Sequence, residues 1–277
     1  MFINSTVFIL GAGASWHYGY PTGEDLVKKV IQKARIAGNY FKISAERPNV
    51  QRPEYITRDP PKNLGPSTSE IKAQWTKAHG ECENLISRLT QVDPVVIDYF
   101  LNQNPTLRPI GRLLIAWVIL ECERLSQAGN INRRELLENS PDLETKQHAR
   151  ITDISKFKDR WYRFILHKLV TNCPVSKDLL RNDVHFVTFN YDVSLENALR
   201  HGLNSIEQFE VPDVDEFLGG DRIIHVYGSV RDPGLDNLPN VDWSAVMRNP
   251  HDGSNQTMCQ KFVDTVYAAS KGIRVRD

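Results

Sequence analysis

Val7-Phe8-Ile9-Leu10-Gly11-Ala12-Gly13-Ala14-Ser15 is the stretch that decides the fold class of this chain. Its first four residues are apolar without interruption and rich in β-branched and aromatic types, the pattern of a parallel strand buried on both faces. Glycines at 11, 13 and 19 then punctuate a turn, after which Leu26, Val27, Val30 and Ile31 recur at helical spacing. Thr22 with Asp25 three residues on has capping-box spacing, Asp standing in for Glu, and this starts a helix that the periodicity carries from Thr22 to Ala34. Strand, glycine turn and helix together open an α/β unit. Glycine in such a turn lets the backbone approach a phosphate, and successive N–H groups there attract an anion. A tight turn with no ligand is the alternative.

Working outward, strand character returns at Val184 to Thr188 and at Arg222 to Val226, with Leu195, Ala198 and Leu199 marking a helix between them after Asp192. Strand, helix and strand again is the parallel α/β signature. From Gly38 to Ser69, prolines at 48, 53, 60, 61 and 66 break any sustained period, so a long loop is expected there. Ile71 to Cys173 reads as helical, with segments near Glu81 to Leu89, Pro94 to Leu101, Ile110 to Leu125 and Phe157 to Val170. Trp117, Trp161 and Tyr162 fall at helical spacing and are expected in the core. The expected fold class is α/β, a Rossmann-like parallel sheet with a largely helical insert. Residues 1–37 and 180–277 would form the sheet domain and residues 38–179 the loop-rich, then helical, insert.

Composition narrows the function classes. Lys plus Arg and Asp plus Glu both total 34 in 277 residues, so no global field draws the chain to nucleic acid or to an anionic membrane. The four cysteines are scattered without a C-x-x-C pair, which indicates neither a zinc module nor a disulfide framework and fits a reducing, cytoplasmic setting. His17, His79, His148, His167, His185, His201 and His251 form no two-His zinc motif. No metal is expected. The start lacks a signal-peptide pattern, and the apolar run Leu113 to Leu120 is too short to span a bilayer.

A strict dinucleotide fingerprint would want a third glycine at position 16, where Trp16 stands. Over a longer window, however, Gly11-Ala12-Gly13-Ala14-Ser15 followed by Gly19-Tyr20-Pro21 resembles the first motif of the sirtuin family, a G-A-G-x-S turn preceding G-x-P. Thr188-Phe189-Asn190-Tyr191-Asp192 resembles the family's T-x-N-x-D motif, and Val226-Tyr227-Gly228-Ser229 its x-H-G-x segment. The three occur in the family order, each on or just after an expected strand.

The resemblance implies an NAD site. Gly11, Ala12, Gly13 and Ser15 would hold the pyrophosphate; Pro21, Thr188, Gly228 and Ser229 belong to the same matched motifs and, with Thr22 directly after the first of them, are expected to line the cofactor. Asn190 would contact the nicotinamide ribose and place the attacking water, and Asp192 would accept hydrogen bonds from the carboxamide. As residues alone, an Asn in a strand-end turn and an Asp capping the next helix are the alternatives. The chain departs from the pattern at Tyr227, which stands where the family has histidine, while a histidine appears at 225. In an extended strand residues 225 and 227 share a face, so His225 is expected to handle the proton and Tyr227 to orient. The family's D-F-R is replaced by Thr22-Gly23-Glu24 and its four-cysteine zinc module is missing, both of which count against a protein deacylase.

Those departures are shared with sirtuin-like bacterial domains that destroy NAD, often as effectors of anti-phage defence. The resemblance thus implies an NAD hydrolase that releases nicotinamide and ADP-ribose, with a homo-oligomer or a defence-system protein as partner. A catalytically inactive module sensing NAD or ADP-ribose is the alternative, favoured by Tyr227. The sequence stops at Asp277 before the strand and turn that would close over the adenosine ribose, so either the chain is truncated or a partner is expected to supply that wall.

Overall fold

The computed structural model of the chain describes residues 1–46, 54–57, 68–127, 161–219, 221–230, 243–248, 250 and 255–274. They are mostly helical, with one three-stranded parallel sheet, which is an α/β architecture. In chain order the elements are β1 (Thr6–Leu10), α1 (Gly13–Trp16), α2 (Gly23–Ala45), α3 (Glu54–Thr57), α4 (Thr68–Val92), α5 (Ile97–Gln103) and, after a 3₁₀ turn at Pro105–Leu107, α6 (Arg108–Gln127). Then come α7 (Trp161–Val170), a 3₁₀ helix at Ser176–Arg181, β2 (Val184–Thr188), α8 (Ser194–Asn204), α9 (Val211–Gly219), β3 (Ile223–His225), α10 (Trp243–Arg248) and α11 (Asn255–Ser270). No described helix is long and apolar enough to cross a membrane. The chain divides into two compact units, Met1–Pro21 with Cys122–Ser229 and Thr22–Glu121 with Val230–Asp277.

The first unit carries the sheet, in the order β1-β2-β3. Leu10 is opposite Thr188, and Thr188 opposite His225, so all three strands end in one row. Phe8, Leu10, Val184, Phe186 and Ile223 point to one face, where Phe8 stacks on Phe186 with ring centroids 5.4 Å apart. Tyr162, Ile165 and Leu169 of α7, Leu195, Leu199 and Leu203 of α8, and Val214 and Phe217 of α9 complete that core. The opposite face departs from the expectation of a doubly buried strand. Val7 and Ile224 are exposed and Ile9 is 74% exposed, because strand side chains alternate and the helices packed in this core all lie with Phe8 and Leu10.

Asn182 ties this unit together. Its side chain accepts from the Phe2 N–H at 2.7 Å and donates to the Leu169 and Leu179 carbonyls, while its own carbonyl accepts from Arg222 at 2.6 Å. One buried amide thus joins the entry to β1, the end of α7, the 3₁₀ helix and the approach to β3.

The second unit is helical. Thr22 caps α2, its hydroxyl engaging the Asp25 side chain at 2.7 Å as the spacing predicts. The helix does not stop at Ala34; it runs to Ala45, so the part of the expected loop from Gly38 to Ala45 is helical. Tyr40, Phe41, Ser44 and Ala45 are buried and extend the apolar stripe. Gly38 is there for packing, since a Cβ on it would lie 3.2 Å from the Cys82 Cβ of α4. The remainder of the expected loop is described only at 46, 54–57 and 68–69; 47–53 and 58–67 lie outside the described residues. The helices expected near Glu81 and Ile110 lie within α4 and α6, and the one expected from Pro94 begins at Ile97 as α5. Along α6, Ile110 and Leu113 to Leu120 are all buried, the signature of a helix enclosed on every side. Lys33 is nearly buried and is matched by Glu121 at 2.7 Å and Ser244 at 2.9 Å.

The two compact units divide the chain at other points than the expected 37/38 and 179/180. The first of these points falls inside α2 and the second inside the 3₁₀ helix, and α7, expected in the insert, packs against α8 in the sheet unit. Phe157, the expected start of that helix, lies outside the described residues; its end at Val170 is as expected. Near the end of the described residues, α11 runs from Asn255 to Ser270 and Ile273 is a single bridged residue.

Candidate functional site

Because the strands are parallel and end in one row, three peptides leave the sheet at the same edge: Gly11 to Ser15 after β1, Phe189 to Asp192 after β2 and Val226 to Ser229 after β3. This is the edge where open α/β sheets place their ligands. All the expected site residues except Thr22 belong to the first unit; Thr22 belongs to the second, as the cap of α2. Pro21, the last residue of the first unit, is buried.

The glycine turn is held from both sides. Ala14 N–H closes on the Gly11 carbonyl at 2.8 Å, and the Trp161 indole donates to the Ala14 carbonyl at 2.9 Å. Tyr18 stacks on Tyr162 with centroids 4.2 Å apart. The glycines at 11 and 13 answer no demand of the fold. Neither has a positive φ, and a Cβ on either would meet nothing within 4 Å among the described residues. Gly228 is different: its φ of 72° is left-handed, and its N–H closes a turn on the His225 carbonyl at 3.2 Å.

Asn190 is buried and held at three points. Its N–H donates to the Thr188 hydroxyl at 3.0 Å, its carbonyl accepts from His225 Nδ1 at 2.9 Å, and its side-chain amide donates to Ser15 Oγ at 3.1 Å. The amide oxygen, Oδ1, is buried with no hydrogen-bond partner among the described residues. A buried acceptor left unmade costs about 1–3 kcal/mol.

Asp192 is buried beside it. Its Oδ1 accepts from both the N–H and the hydroxyl of Ser194, so it satisfies the first turn of α8 as a capping aspartate would. Ser194 in turn shares a hydrogen bond of 2.6 Å with the Tyr162 hydroxyl. Burial raises the Asp192 carboxyl above its ordinary range; the Ser194 and Ser15 hydrogen bonds pull it back and the nearby Glu196 charge adds to the rise. Burial likewise drives the Tyr162 hydroxyl far up.

His225 ends β3 and is engaged at both ring nitrogens, by the Asn190 carbonyl at 2.9 Å and by Glu196 Oε1 at 2.6 Å. The Asn190 carbonyl can only accept, so Nδ1 carries a proton; when Nε2 carries one as well, the ring is an imidazolium paired with Glu196. Burial by itself lowers its basicity, but the Glu196 hydrogen bond and charge, the Asn190 carbonyl and the Asp192 charge outweigh that and raise it. In this state the ring has no lone pair with which to take a proton. The expectation that His225 and Tyr227 share one face of a strand is also corrected. The strand ends at His225, and Val226 and Tyr227 form a turn, where alternation no longer governs direction. Tyr227 instead lies among Phe189 and Tyr191, with centroids 5.9 and 6.4 Å away.

Three contributors were missed by sequence reasoning: Trp161 and Tyr162, which read only as core aromatics, and Glu196, which reads as an ordinary acid in the first turn of a helix. Among the described residues no group of three or more His, Cys, Asp or Glu side chains is placed to hold a metal ion. Comparison with protein-family models, with curated proteins and with solved structures returns no match.

Proposed function

We propose that the first unit is a Rossmann-like, sirtuin-like NAD site, and that the chain hydrolyses the bond between nicotinamide and ribose. The observation that carries this is Asn190: motif residues far apart in sequence meet through its bond to Ser15, and its amide oxygen is buried without a partner among the described residues. A ribose hydroxyl or an attacking water would supply the missing donor. The glycine turn supports the same reading. Glycine at 13, the first residue of α1, loses more conformational freedom on folding than alanine would, and among the described residues neither backbone angle nor packing asks for it. A bare backbone at 11 and 13 suits a pyrophosphate that must come close.

In this mechanism the bond from the anomeric carbon to the pyridinium nitrogen breaks, and its electron pair leaves with nicotinamide. Water adds to the same carbon and releases a proton, giving ADP-ribose. Asn190 orients that water through Oδ1, and Asp192, with its carboxyl partly held by Ser194, receives the carboxamide of the leaving group. These are positioning and electrostatic tasks. His225 acts as a fixed cation behind Asn190 and not as the base. The same resemblance extends the proposal to a part in anti-phage defence with a second copy or a defence-system protein as partner, and the scattered cysteines to a cytoplasmic setting.

A second reading, binding of NAD or ADP-ribose without turnover, is favoured by the same imidazolium, which leaves the site no histidine base. Purified chain incubated with NAD and analysed by chromatography separates the two. Nicotinamide and ADP-ribose in equal amounts, lost about 100-fold in Asn190→Ala, support hydrolysis. Unchanged NAD with measurable ADP-ribose binding points to the sensor.

A further inference from the structure

Glu196 stands in the first turn of α8, two residues beyond the Ser194 that holds Asp192. One of its carboxylate oxygens accepts from His225 Nε2 at 2.6 Å, and the other is buried without a partner among the described residues. Through the ring the contact continues to the Asn190 carbonyl at 2.9 Å. A line of hydrogen bonds thus runs from a helix, across the end of β3, to the loop after β2. Of the four polar groups of Asn190, three are fixed and only Oδ1 is left for a ligand. With the main chain pinned by His225 and the side-chain nitrogen pinned by Ser15, the direction of Oδ1 is determined.

We propose that Glu196 is a positioning residue of this site, acting through His225 on the main chain at Asn190 and so setting where the Asn190 amide oxygen meets its ligand. The proposal rests on the NAD-site reading given above. Its chemistry predicts which substitution works. Glutamine offers its own N–H to a neutral His225 Nε2 while Nδ1 keeps donating to the Asn190 carbonyl, so the geometry survives without the charge. Alanine leaves His225 unanchored. A role confined to the helix dipole would instead require the charge, and glutamine would fail with alanine.

The test is steady-state NAD turnover, with ADP-ribose binding by calorimetry and melting temperature alongside, for wild type, Glu196→Ala and Glu196→Gln. The expected result is a fall in kcat of about 10-fold or more in Glu196→Ala with KM little changed, and recovery of most of it in Glu196→Gln. Wild-type kcat in Glu196→Ala, or a glutamine variant as impaired as alanine, overturns the proposal and leaves the NAD site standing. Should wild type bind ADP-ribose without turnover, hydrolysis is refuted; positioning is then supported by weakened binding in Glu196→Ala restored in Glu196→Gln, and overturned by equal binding. Neither turnover nor ADP-ribose binding in wild type overturns the site and the proposal together.

Discussion

The two units bury polar groups in opposite ways. In the first, Ser15, Thr188, Asn190, Asp192 and Ser194 are all buried and all lie at one end of the sheet, linked to one another by hydrogen bonds. In the second, buried polar groups are dispersed over α2, α5, α10 and α11, and the most costly of them, Lys33, is answered by a carboxylate and a hydroxyl. The second unit spends its interior on packing, as α6 shows. Each unit leaves buried polar atoms without a hydrogen bond among the described residues, the Trp75 indole N–H in the second and Asn190 Oδ1 and Glu196 Oε2 in the first, but those of the first belong to one hydrogen-bonded network at the end of the sheet. Chemistry is therefore to be sought in the first unit.

The hardest blow to this contrast is Leu114→Ala in α6. Leu114 has no exposed surface, and truncation should cost about 4 kcal/mol in chemical denaturation. The ADP-ribose affinity of the chain that remains folded should be unchanged; a matching loss of affinity would mean that the apolar unit is part of the site.

A smaller effect tests a buried carboxyl of the second unit, Asp98 of α5. Burial raises the Asp98 carboxyl to about 6, with its own backbone N–H pulling the other way. The folded chain therefore holds this proton more tightly than the unfolded one. Stability from Asp98 is fully present below the unfolded value near 3.8 and is lost as pH rises through about 6, a change of about 3 kcal/mol. Denaturation midpoints measured between those pH values should fall in wild type and flatten in Asp98→Asn. An equal slope in both would place the titration elsewhere.

The smallest stability effect should accompany a clear loss of binding. Gly13→Ala meets nothing in space and removes a helical glycine, so the chain should gain about 0.5–1 kcal/mol of stability while ADP-ribose binding weakens. Unchanged binding would mean that the bare backbone has no ligand to admit.

Much of the architecture was legible because its signals are local. The run at Val184 to Thr188 became β2 residue for residue, and Thr22 with Asp25 marked the start of α2. The end of α2 was not legible, because Gly38 looks like a stop until the close approach of Cys82 gives it a reason. Nor was the bare face of the sheet: an apolar run alone does not say how many faces its helices cover. At the site, the motif residues Ser15, Asn190 and Asp192 were visible and do come together. The role of His225 was not, since it depends on Glu196, a residue whose spacing from Asp192 suits an ordinary helix start. A side chain's free lone pairs are set by its partners, and partners from another element leave no mark in the local sequence.

The pairing of Thr6 with Val184 has a consequence in time. Parallel neighbours so distant in sequence close late, because the entropy of a long loop must be overcome before any contact compensates it. During synthesis the glycine turn leaves the ribosome first, Asn190 much later, and the histidine behind it later still. A nascent chain thus carries no assembled site until β3 has been made and has docked beside β2. An enzyme that destroyed NAD would, on this ordering, be harmless to the cell throughout its own translation.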